Sequence, residues 1–432
     1  MIQEFSVQNY RSIKGKQTLS FLANNKMKSD ADDYLTVQVN DSTKLLKLGV
    51  LYGYNASGKS NLLYAMHFLS KVILKGPSKK NEEIGFTPFL LDDDFQLRPG
   101  VFSVIFFIGP IKYNYTITLD NKLIYNEILS YYPLKNKVRL FSRIYDTEAQ
   151  ISKVVFGKDC HLLAKEKNIL IGNTLGNMSV LNAYQKTNVN SSLLNKVVGF
   201  FAHNILPIVT PHTVLKDWSF HKLEEDTSKK EFYLEFLKKA DLQISDLTIK
   251  NNNIEVSDEL LKNFTEHGVP QELINKMKKE KSIQAKELLF SHTTSQGVHQ
   301  LKDYQESLGT QRYFGLGGIL KELLNSSTFV AMDEIETSLH PELVTFFLQM
   351  FLMNAKNSQL FITTHNQAIM DQDYIRNDMI WFCEKDEEGG SNYYCAQEFK
   401  LHKNVSLSNF YRAGKLGATP FLGSPIIRDE KK

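Results

Sequence analysis

Four residues near the start of the chain carry its clearest chemistry. Gly53, Gly58, Lys59 and Ser60 stand in the order G-x-x-x-x-G-K-[ST] within "LYGYNASGKSNLL", residues 51–63. Glycines without side chains let backbone N–H groups converge on phosphate oxygens. The positive end of a following helix adds to that attraction. Lys59 has the reach to hold β- and γ-phosphates and to offset the charge of a transferred phosphoryl group, and Ser60 is a candidate Mg²⁺ ligand. Chance alone produces the bare pattern roughly once in a hundred chains of this composition, so its surroundings must decide.

Two further groups extend the set. "TFVAMDEIETSLHP" ends an apolar run in Asp333 and Glu334. Ligands of open α/β sheets sit beyond the carboxyl ends of strands. Asp333 is thus expected to hold Mg²⁺ through water close to Ser60, and Glu334 to orient or deprotonate an attacking water. The alternative is a surface acidic pair capping a helix. "SQLFITTHNQAI" brings His365 to the end of another apolar run, beside Thr363 and Thr364. An imidazole there would contact the γ-phosphate or the water. In "YQESLGTQRYFGLGGIL", Ser307 and Gly309 open a helix whose free amides form a second phosphate-binding surface, most useful to a nucleotide held by another chain. A simple serine cap is the alternative.

The elements needed to position these groups are legible. "KLLKLGVLYG" reads as a buried strand entering the glycine loop. Leu62, Leu63, Met66, Leu69 and Ile73 fall near helical spacing, predicting a helix over 61–77. "IQEFSVQNY" and "KQTLSF" are strand candidates, and "NNKMKSDADDY" is a surface loop. Residues 84–155 read as β-rich, with "VFSVIFFIG", "YNYTITL" and "NEILSYYPL" as strands. Residues 160–290 read as mostly helical and end in the charged stretch "QELINKMKKEKSIQAKELLF". Residues 405–425 are glycine-rich and turn-prone. The expected fold is an α/β nucleotide-binding domain in two parts, 1–155 and 291–432, split by a mostly helical insertion at 156–290.

Composition bounds the function. The 432 residues are 42% apolar and 23% charged, enough for a sizeable core and against a disordered chain. A net charge of +3 is weak support for nucleic acid. Cys160, Cys383 and Cys395 lack the spacing of a zinc site or a disulfide framework. No apolar run reaches eighteen residues and no signal peptide opens the chain, so a cytoplasmic protein is expected.

Taken together, these residues resemble the ABC-type ATPases of the SMC, RecF and OLD group. "GYNASGKS" is similar to their Walker A, in which Asn55 and the following Asn61 join the nucleotide-binding set. "FVAMDEIETSLHP" is similar to Walker B with a D-loop over Ser338 to Pro341, "ESLGTQR" to a variant signature motif, and "TTH" to the H-loop. "VQNYRSI" resembles their N-terminal strand, which implies that Arg11 and Ser12 lie near the nucleotide. "GFTPFLLDD" and "FYRAGKLGATPFLG" bring the likeness closer to small RloA-like ATPases of bacterial phage defence and abortive infection. The resemblance implies ATP and Mg²⁺ as cofactors, a homodimer closed by nucleotide, and a separate effector protein such as a nuclease or toxin. "ESLGT" departs from the LSGGQ of transport ATPases. Gln96 is the nearest Q-loop candidate. The competing reading is a DNA repair or processing ATPase, with "KMKKEK" at 276–281 as its backbone contact or, alternatively, as a solvated helix face.

Overall fold

A computed structural model describes residues 1–26, 32–266, 269–280, 282–399 and 406–425. They form two compact units. The first comprises Met1–His212, Glu322–Thr337 and Val344–Lys432, and the second Thr213–Lys321 with Ser338–Leu343.

A five-stranded sheet builds the centre of the first unit. Its order is Phe329–Met332, Gln359–Thr363, Leu48–Gly53, Ile380–Lys385 and Ser391–Cys395. The first four strands run parallel, and the last returns antiparallel from a hairpin. Every residue of Leu48–Gly53 is buried, as befits a strand covered on both faces. The helix Lys59–Lys75 follows, two residues earlier than the spacing predicts, and buries Leu62, Leu63, Met66, Leu69 and Ile73 as that spacing requires. A second, seven-stranded antiparallel sheet joins Ile2–Gln8 and Gln17–Ser20 to five strands between Gly100 and Phe156. Its alternating pattern buries Phe102, Val104 and Phe106 on one face. Tyr10, Phe68, Phe86 and Phe102 cluster between that sheet and the loop helix, with Tyr10 stacked on Phe68 at 5.3 Å. Gln359 ties the two sheets: its carbonyl accepts from the Ile2 N–H at 2.6 Å and its amide donates to Ile2 O at 2.8 Å.

The fully buried Arg143 fixes the far end of the antiparallel sheet. It donates to the carbonyls of Met178, Leu175 and Gly176 and lies 3.7 Å from the buried Glu127 carboxylate. Glu127 in turn accepts from Tyr115 and from the Val180 N–H. Both charges in this network are paired and hydrogen-bonded, with Arg143 Nε alone of the guanidinium nitrogens left without a partner among the described residues; such pairing is the condition under which buried charge is tolerated.

The second unit starts at Thr213, later than the insertion boundary at 156 expected from sequence. The helices Ala164–Asn173, Val180–Gln185 and Ser192–Gly199 belong to the first unit. Within the second, the helices Leu215–Glu225 and Lys230–Lys239 and residues 308–321 of the helix Leu308–Asn325 accompany an antiparallel sheet of Ile244–Glu255, Ser282–Thr294 and Gly297–Lys302. That sheet adds strands to a region read as mostly helical. Tyr313 stacks on Phe236 at 4.4 Å, and Gly315 leaves room for the backbone of Leu215. The lysine-rich stretch forms the helix Gln271–Glu280, with only Ile274 buried. Lys276 pairs with Glu280 on a solvated face, and Lys281 lies outside the described residues. No helix among the described residues is long and apolar enough to cross a membrane.

Candidate nucleotide site

The glycine loop closes between the central strand and its helix. Ala56 and Gly58 adopt positive φ, 66° and 111°, the second at the helix N-cap, where glycine carries no steric cost. A Cβ on Gly58 would overlap Ser391 Oγ and come within 2.7 Å of Ser12 Oγ. Lys59 is 6% exposed, and its Nζ donates to Gly53 O at 2.9 Å and Tyr54 O at 3.2 Å. It also lies 3.3 Å from His365 Nε2. Burial lowers the Lys59 pKa, against the attraction of Asp333, Glu334 and Glu336. Burial first, and then the Lys59 charge, lower that of His365, which favours a neutral ring at pH 7. Ser60, in the first turn of the helix, is half-buried, and Asn55 is exposed in the loop.

The two neighbouring strand ends interlock. Thr363, fully buried, donates from its hydroxyl to Asp333 Oδ1 at 2.6 Å and accepts from the Glu334 N–H at 2.8 Å. Glu334 has a φ of 46°, held by this bond. Asp333 is buried and its N–H donates to Val209 O. Glu336, unremarked in sequence, accepts from the His365 N–H at 2.5 Å. Replacing Thr363 with valine keeps the shape but leaves Asp333 and the Glu334 N–H each one partner short. We expect it to cost about 1–3 kcal/mol of stability, read as a lower urea midpoint at unchanged slope. An unchanged midpoint would refute the bridging role.

Arg11 and Ser12 flank the loop from the N-terminal turn. Ser12 Oγ accepts from Asn61 Nδ2 and shares a hydrogen bond with Ser391 Oγ, both at 2.7 Å. Arg11 lies over the Tyr64 ring at 4.5 Å, on the loop helix. Asn9 holds the 85–98 segment to this turn through Phe89 N and the carbonyls of Phe95 and Arg98. Gln96, the Q-loop candidate, is exposed, and among the described residues its amide bonds only within its own turn, to Leu90 O and Asp93.

Sequence reasoning missed the hairpin that grips the loop from the other side. Ser391 Oγ donates to Ser57 O at 2.6 Å, and Tyr393 Oη to Gly58 O at 2.7 Å. Cys383 bonds Ser57 O, and burial pushes its thiol up to about 12, so it stays neutral. The turn-prone "DEEGG" between two apolar runs was the available signal. All three cysteines are free and buried.

Ser307 and Gly309 lie in the second unit. Ser307 is a helix cap by geometry, accepting from Thr310 N–H at 3.0 Å. Gly309 comes so close to Ser338 O that a Cβ would stand 2.9 Å from it, which joins the signature-like and D-loop segments within this unit.

The loop is of a kind that fits a nucleotide: a cradle that a Cβ would fill, a buried ammonium and two carboxylates at the end of a strand in the same sheet. The family described as "AAA domain, putative AbiEii toxin, Type IV TA system" matches residues 48–158 and 192–371, more than half of the sequence. The chain belongs to this family. In this AAA-domain family member the match spans the loop, the Asp–Glu strand and His365. The α/β P-loop nucleotide-binding core of ABC type, split by an insertion, is thus present as expected. No curated protein matches the chain. Among solved structures, the SMC head domain from Thermotoga maritima is 12% identical, over 91% of this chain and 98% of that one, with a TM-score of 0.40. An SmcHead bound to the C-winged helix domain of ScpA is 12% identical, over 95% and 99%, at 0.39. An Smc head domain with an extended coiled coil, bound to the C-terminal domain of ScpA derived from Pyrococcus furiosus, is 14% identical, over 96% and 98%, at 0.35.

Proposed function

We propose that the chain hydrolyses ATP and uses it to close a homodimer, as the regulatory ATPase of a bacterial anti-phage or abortive-infection system with a separate effector. The observation that carries the reading is the convergence of Lys59, Asp333, Glu334 and His365 in one electrostatic neighbourhood at the end of a glycine loop. Lys59 would hold the terminal phosphates. Glu334 would take the proton of the attacking water, and His365, beside Lys59, would report the γ-phosphate. Mg²⁺, when bound, would offset phosphate charge. Ser60 and Asp333 are the residues that would hold it, alongside phosphate oxygens. No group of three or more His, Cys, Asp or Glu suited to a metal occurs among the described residues. The family description, with its toxin and toxin–antitoxin system, supports the defence setting. The RloA-like "FYRAGKLGATPFLG" points the same way.

The dimer rests on Ser307 and Gly309, which would meet the nucleotide of the facing protomer. Light scattering of Glu334→Gln with saturating ATP should give a dimer. Adding Ser307→Arg should return it to monomer while single-site nucleotide binding persists. The lost cap costs about 1 kcal/mol, so a melting curve accompanies the measurement. A Glu334→Gln protein that stays monomeric with ATP would refute this mechanism. A dimer in both variants would move the interface elsewhere.

A further inference from the structure

The C-terminal turn after Arg412 is built with a care that the proposed chemistry does not use. The Tyr411 ring packs on Phe382 at 5.4 Å and on Tyr52, in the loop strand, at 6.0 Å. Its hydroxyl donates to Ala418 O at 2.9 Å, and Tyr394 Oη donates to Leu416 O at 2.8 Å. The Ala418 N–H donates to Glu384 Oε2 at 2.9 Å. Glu384 follows Cys383, the register partner of Gly53. Gly414, Gly417 and Ala418 all have positive φ, of 69°, 67° and 56°. For an alanine that conformation costs about 1–2 kcal/mol. A Cβ on Gly417 would come within 2.5 Å of Glu384 Oε2. The backbone is therefore held in one path by the buried Tyr411 and by the half-buried Glu384 and Tyr394 on the strands beside the glycine loop.

That path leads to a cleft of about 540 Å³. Gly53, Tyr54, Asn55 and His365 line it together with Thr419 and Leu422. The carbonyls of Gly53 and Tyr54 are those that receive the Lys59 ammonium, and His365 Nε2 is its third neighbour. The tail thus borders the end of the loop where Lys59 would hold a terminal phosphate, rather than the helix face beyond it.

We propose that Thr419–Leu422 is a specificity-determining wall of this cleft, which separates a nucleoside triphosphate from its diphosphate. The inference rests on the nucleotide reading above. A diphosphate leaves this end of the cleft unfilled by its own charge, whereas the terminal phosphate of a triphosphate faces the tail. Charge placed on the tail is then felt by one ligand and not by the other.

Leu422 is 82% exposed, so a polar residue there does not test folding. Titration calorimetry of the full chain with a non-hydrolysable ATP analogue and with ADP reads the effect. Leu422→Asp should weaken the triphosphate about tenfold, the scale of one partly screened charge pair, and leave ADP within about twofold. Leu422→Lys should tighten the triphosphate, and Leu422→Asn should lie between. A reversal with the sign of the charge is a result that altered packing would not give. Equal changes for both nucleotides, or none in a parent protein that binds both, would overturn the role of the tail alone. A parent protein that binds neither would overturn the nucleotide reading and this inference with it.

Discussion

Glu334→Gln should lower ATP turnover by about 10²–10⁴-fold, the range contributed by a positioned general base, while ATP affinity stays within about twofold. The amide has the shape of the carboxylate but cannot take a proton from water. The geometry isolates this effect. The backbone N–H of residue 334 is anchored on Thr363 Oγ1 and its strained φ is set by that bond, neither of which involves the side-chain carboxylate. Asp333, one residue earlier, keeps its own bond from Thr363. Single-turnover hydrolysis at saturating ATP separates chemistry from binding. A variant rate within about twofold of the parent would remove Glu334 from the catalytic role and leave His365 and Glu336 as the groups to examine.

Lys59→Ala should cost about 10–100-fold in affinity for ATP, from about 1.5–3 kcal/mol for a hydrogen bond to a charged group. The ammonium is buried against the carbonyls of Gly53 and Tyr54 and is the cation at the mouth of the loop. Its pH dependence carries a sign. Burial lowers the Lys59 pKa below that of a free lysine, so the unliganded protein loses this charge at lower pH than 10.5. Phosphate binding favours the charged form and raises the pKa again. ATP affinity should therefore fall as pH rises through the lowered value, and the fall should be absent in Lys59→Ala. Calorimetry across alkaline pH measures both. A parent affinity that is flat across that window, or a variant that keeps the parent's affinity, would show that Lys59 does not hold the phosphates.

The strand–loop–helix unit was legible because its signals are local. An apolar run, glycines and a helical repeat all lie within residues 44–75. The Asp333–Glu334 and His365 strand ends were legible for the same reason, and the observed strands Phe329–Met332 and Gln359–Thr363 end where the polar residues begin. The strand candidates of the antiparallel sheet fell within two residues of Gly100–Ile108, Ile111–Leu119 and Ile124–Tyr132. What remained hidden is tertiary. Nothing in the alternation of "SNYYC" says that Ser391 and Tyr393 will meet Ser57 O and Gly58 O. Thr363 was noted only as a neighbour of His365, because its bridge to Asp333 exists only once two strands are in register. The three-stranded sheet of the second unit was missed where polar, asparagine-rich sequence such as "IKNNNIE" forms a strand, a case of cross-strand pairing overriding propensity.

The strand Leu48–Gly53 has both of its sheet neighbours near the other end of the chain, at Gln359–Thr363 and Ile380–Lys385. Ser57 and Ser391, which share a hydrogen bond, are 334 residues apart. During synthesis the loop is made long before the partners that shape it. Contacts of such long sequence separation also form slowly, since loop closure must precede their reward. A ribosome that stalls or a message that is cut before the hairpin of Ile380–Lys385 and Ser391–Cys395 would release a chain whose loop strand has lost one of its two sheet neighbours and whose loop lacks the bonds from Ser391 and Tyr393. Such fragments should be inert toward nucleotide and open to proteases. For a protein whose proposed work is to restrain or trigger a lethal response, this linkage makes translation through Tyr393 the condition for a competent switch.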